Sequence, residues 1–247
     1  MQLTDNDSYH NYSVIQIRHN PWTFGTGMRL LAKALNVSTW SDPVFANIYK
    51  LLLTPSPPVQ QSLDYTMQRL GLTSHQFDAV HLRARYPGAS DAFQPKPSLF
   101  SRGVDADGFQ WTLEAKKEIL RLATLAISCV PKASNSNISL PIYFASDTNE
   151  AIKVVTQVEK NVVGMVTSYE RLHLNRNDRI GLIRKTPPSA FYPAFVDLWI
   201  LAQARCLAVG AGGYGIVASI IGETDCVVYY QKNSFAGGEA KYCPGVE

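Results

Sequence analysis

From about Asp78 to Tyr230 the sequence predicts an α/β fold, a parallel sheet with helices on both faces. Three observations predict it. Short apolar runs alternate with longer amphipathic ones, the pattern of strand–helix–strand crossovers. Polar clusters fall where those apolar runs end, the edge at which such sheets bind ligands. A glycine-rich turn, Gly210 to Gly215, leads from one apolar run directly into the next helix.

Taken in order, Val14–Arg18 alternates like a strand and Met28–Leu35 fits a helical turn or two. Asp42-Pro43 starts a helix over Val44–Leu53. The run Thr54-Pro-Ser-Pro-Pro58 punctuates the chain and marks a boundary between a partial or irregular N-terminal piece, 1–55, and a main unit, 56–247. Val59, Leu63, Met67 and Leu70 share one helical face, and Gly71 ends that helix. Phe77–Leu82 reads as a strand. Tyr86–Gln110 is a long loop rich in Pro, Gly, Ser and Asp, a type that is usually functional or mobile. Thr112 caps a helix over Leu113–Cys129. There follow a strand at Leu140–Ala145, a helix at Asn149–Lys160 and a strand at Val162–Val166. A helix at Phe191–Arg205, a strand at Cys206–Gly210, a helix at Tyr214–Ile221 and a strand at Cys226–Tyr230 complete the unit.

Composition narrows the function classes. Hydrophobic residues make up 46% of the 247 and charged residues 17%, enough for a full core and too apolar for disorder. The net charge is +3 and the basic residues are scattered, so no nucleic-acid footprint is expected. The apolar stretch Cys206–Ile221 is broken by glycines and does not read as a membrane span, and no membrane contact is expected. The first 30 residues lack the features of a signal peptide, and the polar opening Thr4–Tyr12 reads as the interior of a larger protein. Cys129, Cys206, Cys226 and Cys243 have no CxxC spacing. The first three lie in apolar segments, where buried inert thiols are favoured over disulfides. Sequons at Asn6, Asn11, Asn36 and Asn137 hint at a secretory lumen.

The chemistry-bearing residues sit at the expected strand ends. His81, Arg83 and Arg85 alternate, so on an extended strand they point to one side, and an arginine fork is a natural diphosphate partner. The bland alternative pairs an arginine with Asp78 or Asp91. Ser146-Asp147 closes another strand, with Asp147 either capping the next helix or touching a ligand. Gly212, Gly213 and Tyr214 open a helix whose amides and dipole suit a phosphate; the alternative is a merely tight turn. The spacing is not GxGxxG and no acid follows about 20 residues on, which disfavours a dinucleotide. Asp197 lies on an apolar helix and needs a partner, Arg205 or a ligand donor, the ligand being slightly preferred. Trp199, Tyr192 and Phe195 read as core, His75 and His173 as surface. No Ser-His-Asp set, metal-ligand cluster or HExxH is present, which argues against hydrolases and metalloproteins.

In order, Val80-His-Leu-Arg83, Phe144-Ala-Ser-Asp147 and the stretch from Asp197 through Gly215 resemble the C-terminal half of the GDP-fucose glycosyltransferases. These are the α1,6-, nodulation-type and protein O-fucosyltransferases. The resemblance runs from about Pro55 to Tyr230. It implies a Rossmann-like unit, the C-terminal half of a GT-B fold, and a metal-independent, inverting transfer of fucose from GDP-fucose to a glycan or protein hydroxyl. It also implies no cofactor beyond that donor, and a Golgi or ER lumen if a signal anchor precedes the chain. Carried across, His81 and Arg83 hold the diphosphate, with Arg83 the catalytic group; Ser146, Asp147 and Asp197 hold the guanosine; Gly212–Tyr214, with Ser219 nearby, line the phosphates. Ala84-Arg85-Tyr86 stand where many relatives have a second arginine and then an acid, and Gly212 and Gly213 replace the usual serines. The family's N-terminal domain is expected to be absent or reduced to 1–55, leaving Asp91, Asp105 and Asp107 as the candidates for an acceptor base. The alternative is a non-catalytic GDP- or carbohydrate-binding relative, or a structural module with no nucleotide site.

Overall fold

The computed structural model describes residues 47, 50, 54–84, 113–133, 139–168, 187–210, 212–231 and 241–243. The expected strand Val14–Arg18, the helix Met28–Leu35, the sequons, the loop Tyr86–Gln110, Thr112, Arg85, Asp91, Asp105, Asp107 and His173 lie outside these residues. Of Val44–Leu53, Asn47 and Lys50 are described, and both are helical.

Helix α1, Pro57–Leu70, starts two residues earlier than its apolar spacing indicates because proline is tolerated in a first turn. Gly71 ends it with φ 66°, its amide bonding the Gln68 carbonyl at 3.1 Å. Strand β1 is Asp78–Leu82, α2 is Leu113–Ala133, β2 is Ile142–Ser146, α3 is Asn149–Val158 and β3 is Val162–Val163. A short 3-10 turn, Pro188–Phe191, leads into α4, Tyr192–Ala202; then come β4, Cys206–Val209, α5, Tyr214–Gly222, and β5, Cys226–Tyr229.

All strand pairs are parallel, in the order β3-β2-β1-β4-β5. Successive side chains of β1 serve opposite faces. Ala79 packs among α1, α4 and α5, whereas Val80 and Leu82 pack against α2 and α3. The fold is thus the expected α/β one, a Rossmann-like parallel sheet covered on both sides. Among the described residues no helix is long and apolar enough to cross a membrane.

The ends of several elements differ from the sequence reading. Helix α4 stops before Arg205 because that residue's amide joins the sheet, bonding the Phe77 carbonyl at 2.8 Å. Strand β3 stops before Gly164, where any side chain would meet Ile152 and the Phe144 carbonyl. Helix α2 runs past Cys129 and includes Pro131.

The cysteines overturn the inert-thiol expectation. Cys206 and Cys226 are register partners on β4 and β5, their Cα atoms 4.6 Å apart, and they form a disulfide. Cys129 of α2 is disulfide-bonded to Cys243, with Cα atoms 5.7 Å apart. Cys243 reaches it because residues 241–243 lie alongside β5: the Tyr229 amide bonds the Lys241 carbonyl at 2.8 Å and the Cys243 amide bonds the Tyr229 carbonyl at 2.9 Å. No described cysteine is free.

Candidate functional site

In this strand order the chain leaves β1 toward β2 and leaves β4 toward β5, which makes the β1–β4 pair the switch point, the place where sheets of this kind form their ligand crevice. The register sets His81 beside Ala145 of β2 on one side and Val209 of β4 on the other. The crevice floor is therefore made by the last residues of three strands.

Arg83 is the first residue past β1 and is half-buried. Its side chain reaches the β4–α5 turn. A methyl group placed on Gly212 would lie 3.3 Å from Arg83 Nη1 and 3.7 Å from its Cδ. Gly212 has φ 94°, a left-handed backbone that favours glycine. Gly213 takes the N-cap position of α5 without a side-chain cap, and the first helical bond runs from the Val217 amide to the Gly213 carbonyl, 2.9 Å. The amides of the first turn and the positive end of the helix dipole thus lie where the guanidinium arrives.

His81 is 7% exposed and faces the same helix. Its ring packs on Tyr214, centroids 4.9 Å apart, and its Nδ1 lies 3.4 Å from where a Cβ on Gly215 would be. The Tyr214 hydroxyl donates to the Ala194 carbonyl of α4. Burial first, and the neighbouring Arg83 charge second, lower the His81 pKa to about 3. The imidazole is neutral at physiological pH, and the positive charge of this group of residues is carried by Arg83.

Asp147, just past β2, neither caps a helix nor points away. Thr148 is the N-cap of α3, its hydroxyl accepting from the Ala151 amide at 3.1 Å. Asp147 Oδ1 accepts from the Ala84 amide at 2.7 Å and from the Ser146 hydroxyl at 3.4 Å. The carboxylate so fixes the backbone immediately after Arg83. Ser146 itself is 3% exposed, beneath the rim.

Two expected site residues lie elsewhere. Asp197 is 2% exposed, one helical turn below Ala194 on α4, and accepts from the Tyr143 hydroxyl in the core. Nor does it pair with Arg205, which instead forms a two-bond ion pair with Asp78, 3.0 and 2.8 Å, at the opposite edge of the sheet. The alternative pairing of Arg83 with Asp78 falls with it. Ser219 lies near the far end of α5, about 7.5 Å along the axis from Tyr214, and donates to the Ile216 carbonyl. The structure brings together His81, Arg83, Gly212, Gly213 and Tyr214, with Asp147 and Ser146 one strand away.

Sequence reasoning missed Tyr230. Its hydroxyl donates to the His81 carbonyl at 2.9 Å, and its ring lies against Gly210. The signal was present: Tyr230-Gln231 follow β5 at the same ligand-binding edge that singled out the other clusters.

No protein-family model and no curated protein matches the chain. Among solved structures it is similar to the NodZ alpha-1,6-fucosyltransferase. Against the crystal soaked with GDP-fucose the identity is 12% and the TM-score 0.40, over 71% of this chain and 44% of that one. Against NodZ co-crystallised with GDP the identity is 11% and the TM-score 0.41, over the same 71% and 44%. A selenomethionine form of NodZ from Bradyrhizobium gives 12% and 0.40. The chain spans less than half the length of each of these structures.

Proposed function

We propose that the chain is the nucleotide-sugar-binding half of a fucosyltransferase-like glycosyltransferase, with the diphosphate of GDP-fucose seated between β1 and β4. One observation carries this reading. The Arg83 side chain lies 3.3 Å from the Cβ position of Gly212, so a guanidinium and a helix amino terminus face one small volume at the switch point. The order of the His81-Leu-Arg83, Ser146-Asp147 and Gly210–Gly215 motifs supports fucose as the sugar and GDP as the carrier.

In this reading an acceptor hydroxyl, on a glycan or a protein, attacks the anomeric carbon from the face opposite the diphosphate. The bond from that carbon to the diphosphate oxygen breaks, the configuration inverts, and Arg83 with the α5 amides stabilises the charge on the departing GDP. The reading needs no metal, because Arg83 and the α5 amides would supply the positive charge that a divalent cation otherwise brings to a diphosphate. Asp147 holds Arg83 in place through the Ala84 amide. Neutral His81 contributes shape and a hydrogen-bonding nitrogen rather than charge. The acceptor proton passes to a base, for which Asp91, Asp105 and Asp107 are the candidates. The two disulfides fit a secretory lumen such as the Golgi or ER.

The test is thermal stability with GDP and with GDP-fucose. Ligand at about 100 times its Kd adds roughly 2.7 kcal/mol, so a rise of several degrees is expected in the native chain and none in Arg83→Ala. An unchanged melting temperature of the native chain at millimolar GDP overturns the reading. Gly212 and Gly213, standing where related transferases carry serines, favour a second reading, a binder of GDP or carbohydrate without transfer. Binding of GDP-fucose without release of fucose to any acceptor supports that one.

A further inference from the structure

Tyr230 occupies an unusual position for a buried aromatic side chain. Its main-chain amide bonds the Val209 carbonyl at the end of β4, 3.2 Å, while its hydroxyl passes on to the His81 carbonyl at the end of β1, 2.9 Å. One residue therefore spans three strands across the switch point. The ring can lie over β4 because Gly210 has no side chain: a Cβ there would fall 2.5 Å from Tyr230 Cζ. The ring is 1% exposed, packed on the α2–α3 face, opposite to the face His81 and Arg83 use.

We propose that Tyr230 is the positioning residue of the diphosphate grip, holding the β1 end that carries Arg83 against the β4 end that carries the glycine turn. The inference rests on the proposed function for the identity of the ligand, but its geometry stands without it. Three groups fix the peptides around Arg83: the Tyr230 hydroxyl on the His81 carbonyl before it, the Asp147 carboxylate on the Ala84 amide after it, and the sheet ladder beneath. Tyr230 alone among them connects the two sides of the crevice through a side chain. Burial, and then the Asp147 charge, push the phenol's pKa up, so it remains a donor throughout the working range of pH. Arg83 stays beside Gly212 only if the two strand ends keep their spacing. A guanidinium displaced by as little as 1 Å loses its bidentate geometry toward a phosphate.

The test is Tyr230→Phe, which keeps the ring and removes only the hydroxyl. Gly210→Ala, which crowds the same ring, is the second variant. Ile152→Val, a core truncation on α3 away from the crevice, controls for lost stability. GDP affinity by calorimetry is expected to fall roughly tenfold in Tyr230→Phe and to be unchanged in Ile152→Val. In an Arg83→Lys background, which keeps the charge but loses the fork, the Tyr230 substitution should add little, the mark of a residue that acts through the Arg83 guanidinium. In the ligand-free chain, amide hydrogen exchange across residues 80–84 should quicken in Tyr230→Phe while β2 and α3 stay protected. Equal GDP affinity in the native chain and Tyr230→Phe, or unaltered exchange at 80–84, overturns the inference. A native chain that ignores GDP sinks the proposed function instead, and the exchange comparison then decides the inference by itself.

Discussion

His81 shows how one residue's surroundings set its chemistry. A histidine at the end of a strand, two residues before an arginine, invites the reading of a cationic phosphate ligand. Burial beneath Tyr214 and the charge of Arg83 remove that option. The same shift has a consequence for stability. The folded chain keeps this imidazole neutral down to about pH 3, whereas in the unfolded chain it protonates near 6.5. Between those values the unfolded state binds a proton that the folded state does not, so stability is complete above pH 6.5 and falls as the pH drops toward 3. The slope from this one group is at most about 1.4 kcal/mol per pH unit. Urea midpoints at pH 7.5, 6 and 5 check it: the native chain should lose more than His81→Asn over that range, and parallel losses would show that the histidine is not the cause. Asp147 and Asp197 illustrate what single residues do not reveal. Asp147 read as a helix cap or a ligand contact and Asp197 as needing Arg205 or a ligand donor, but the Ala84 amide and the Tyr143 hydroxyl that they bond are 63 and 54 residues away in sequence and meet them only in the folded sheet.

Among the elements, the order of helices and strands was legible, because a parallel sheet buried on both faces leaves short apolar runs separated by amphipathic ones. Which strands touch was not, since β1 neighbours β2 and β4 and periodicity carries no such information. The Asp78–Arg205 ion pair depends on that adjacency. It joins residues 127 apart at the amino-terminal edge of β1 and β4, with the Asp78 side chain 2% exposed. Arg205→Ala leaves that carboxylate buried without its fork and should cost about 3–5 kcal/mol. Denaturant unfolding measures the loss, and GDP affinity of the folded fraction should be unaltered because the pair lies at the far edge from the crevice. The β4–α5 turn predicts the reverse pattern. Gly212→Ala forces alanine into φ 94° and pushes a methyl toward Arg83 Nη1. A stability loss of about 1–2 kcal/mol should accompany a larger fractional loss of GDP binding, read by the same two measurements.

At the scale of the whole molecule, the disulfides bind together what the sheet alone leaves at its margins. Cys206–Cys226 closes 20 residues around α5, and Cys129–Cys243 closes 114. Chain-entropy arguments assign about 3 and nearly 5 kcal/mol to loops of such lengths. Reduction should therefore lower the melting temperature by ten degrees or more, and alkylation before reduction should label no cysteine; substantial labelling of the native chain would contradict the pairing. The sequence favoured inert thiols because Cys129, Cys206 and Cys226 sit among apolar neighbours, which is as true of a buried disulfide as of a buried thiol. The larger ring also encloses β2, β3, β4 and β5, whereas α1 and β1 lie outside it. A protease that nicks the backbone once anywhere from 134 to 240 therefore releases nothing. The two pieces stay tethered through the last helical turns of α2 and travel as one species on a gel until a reductant is added, when they part.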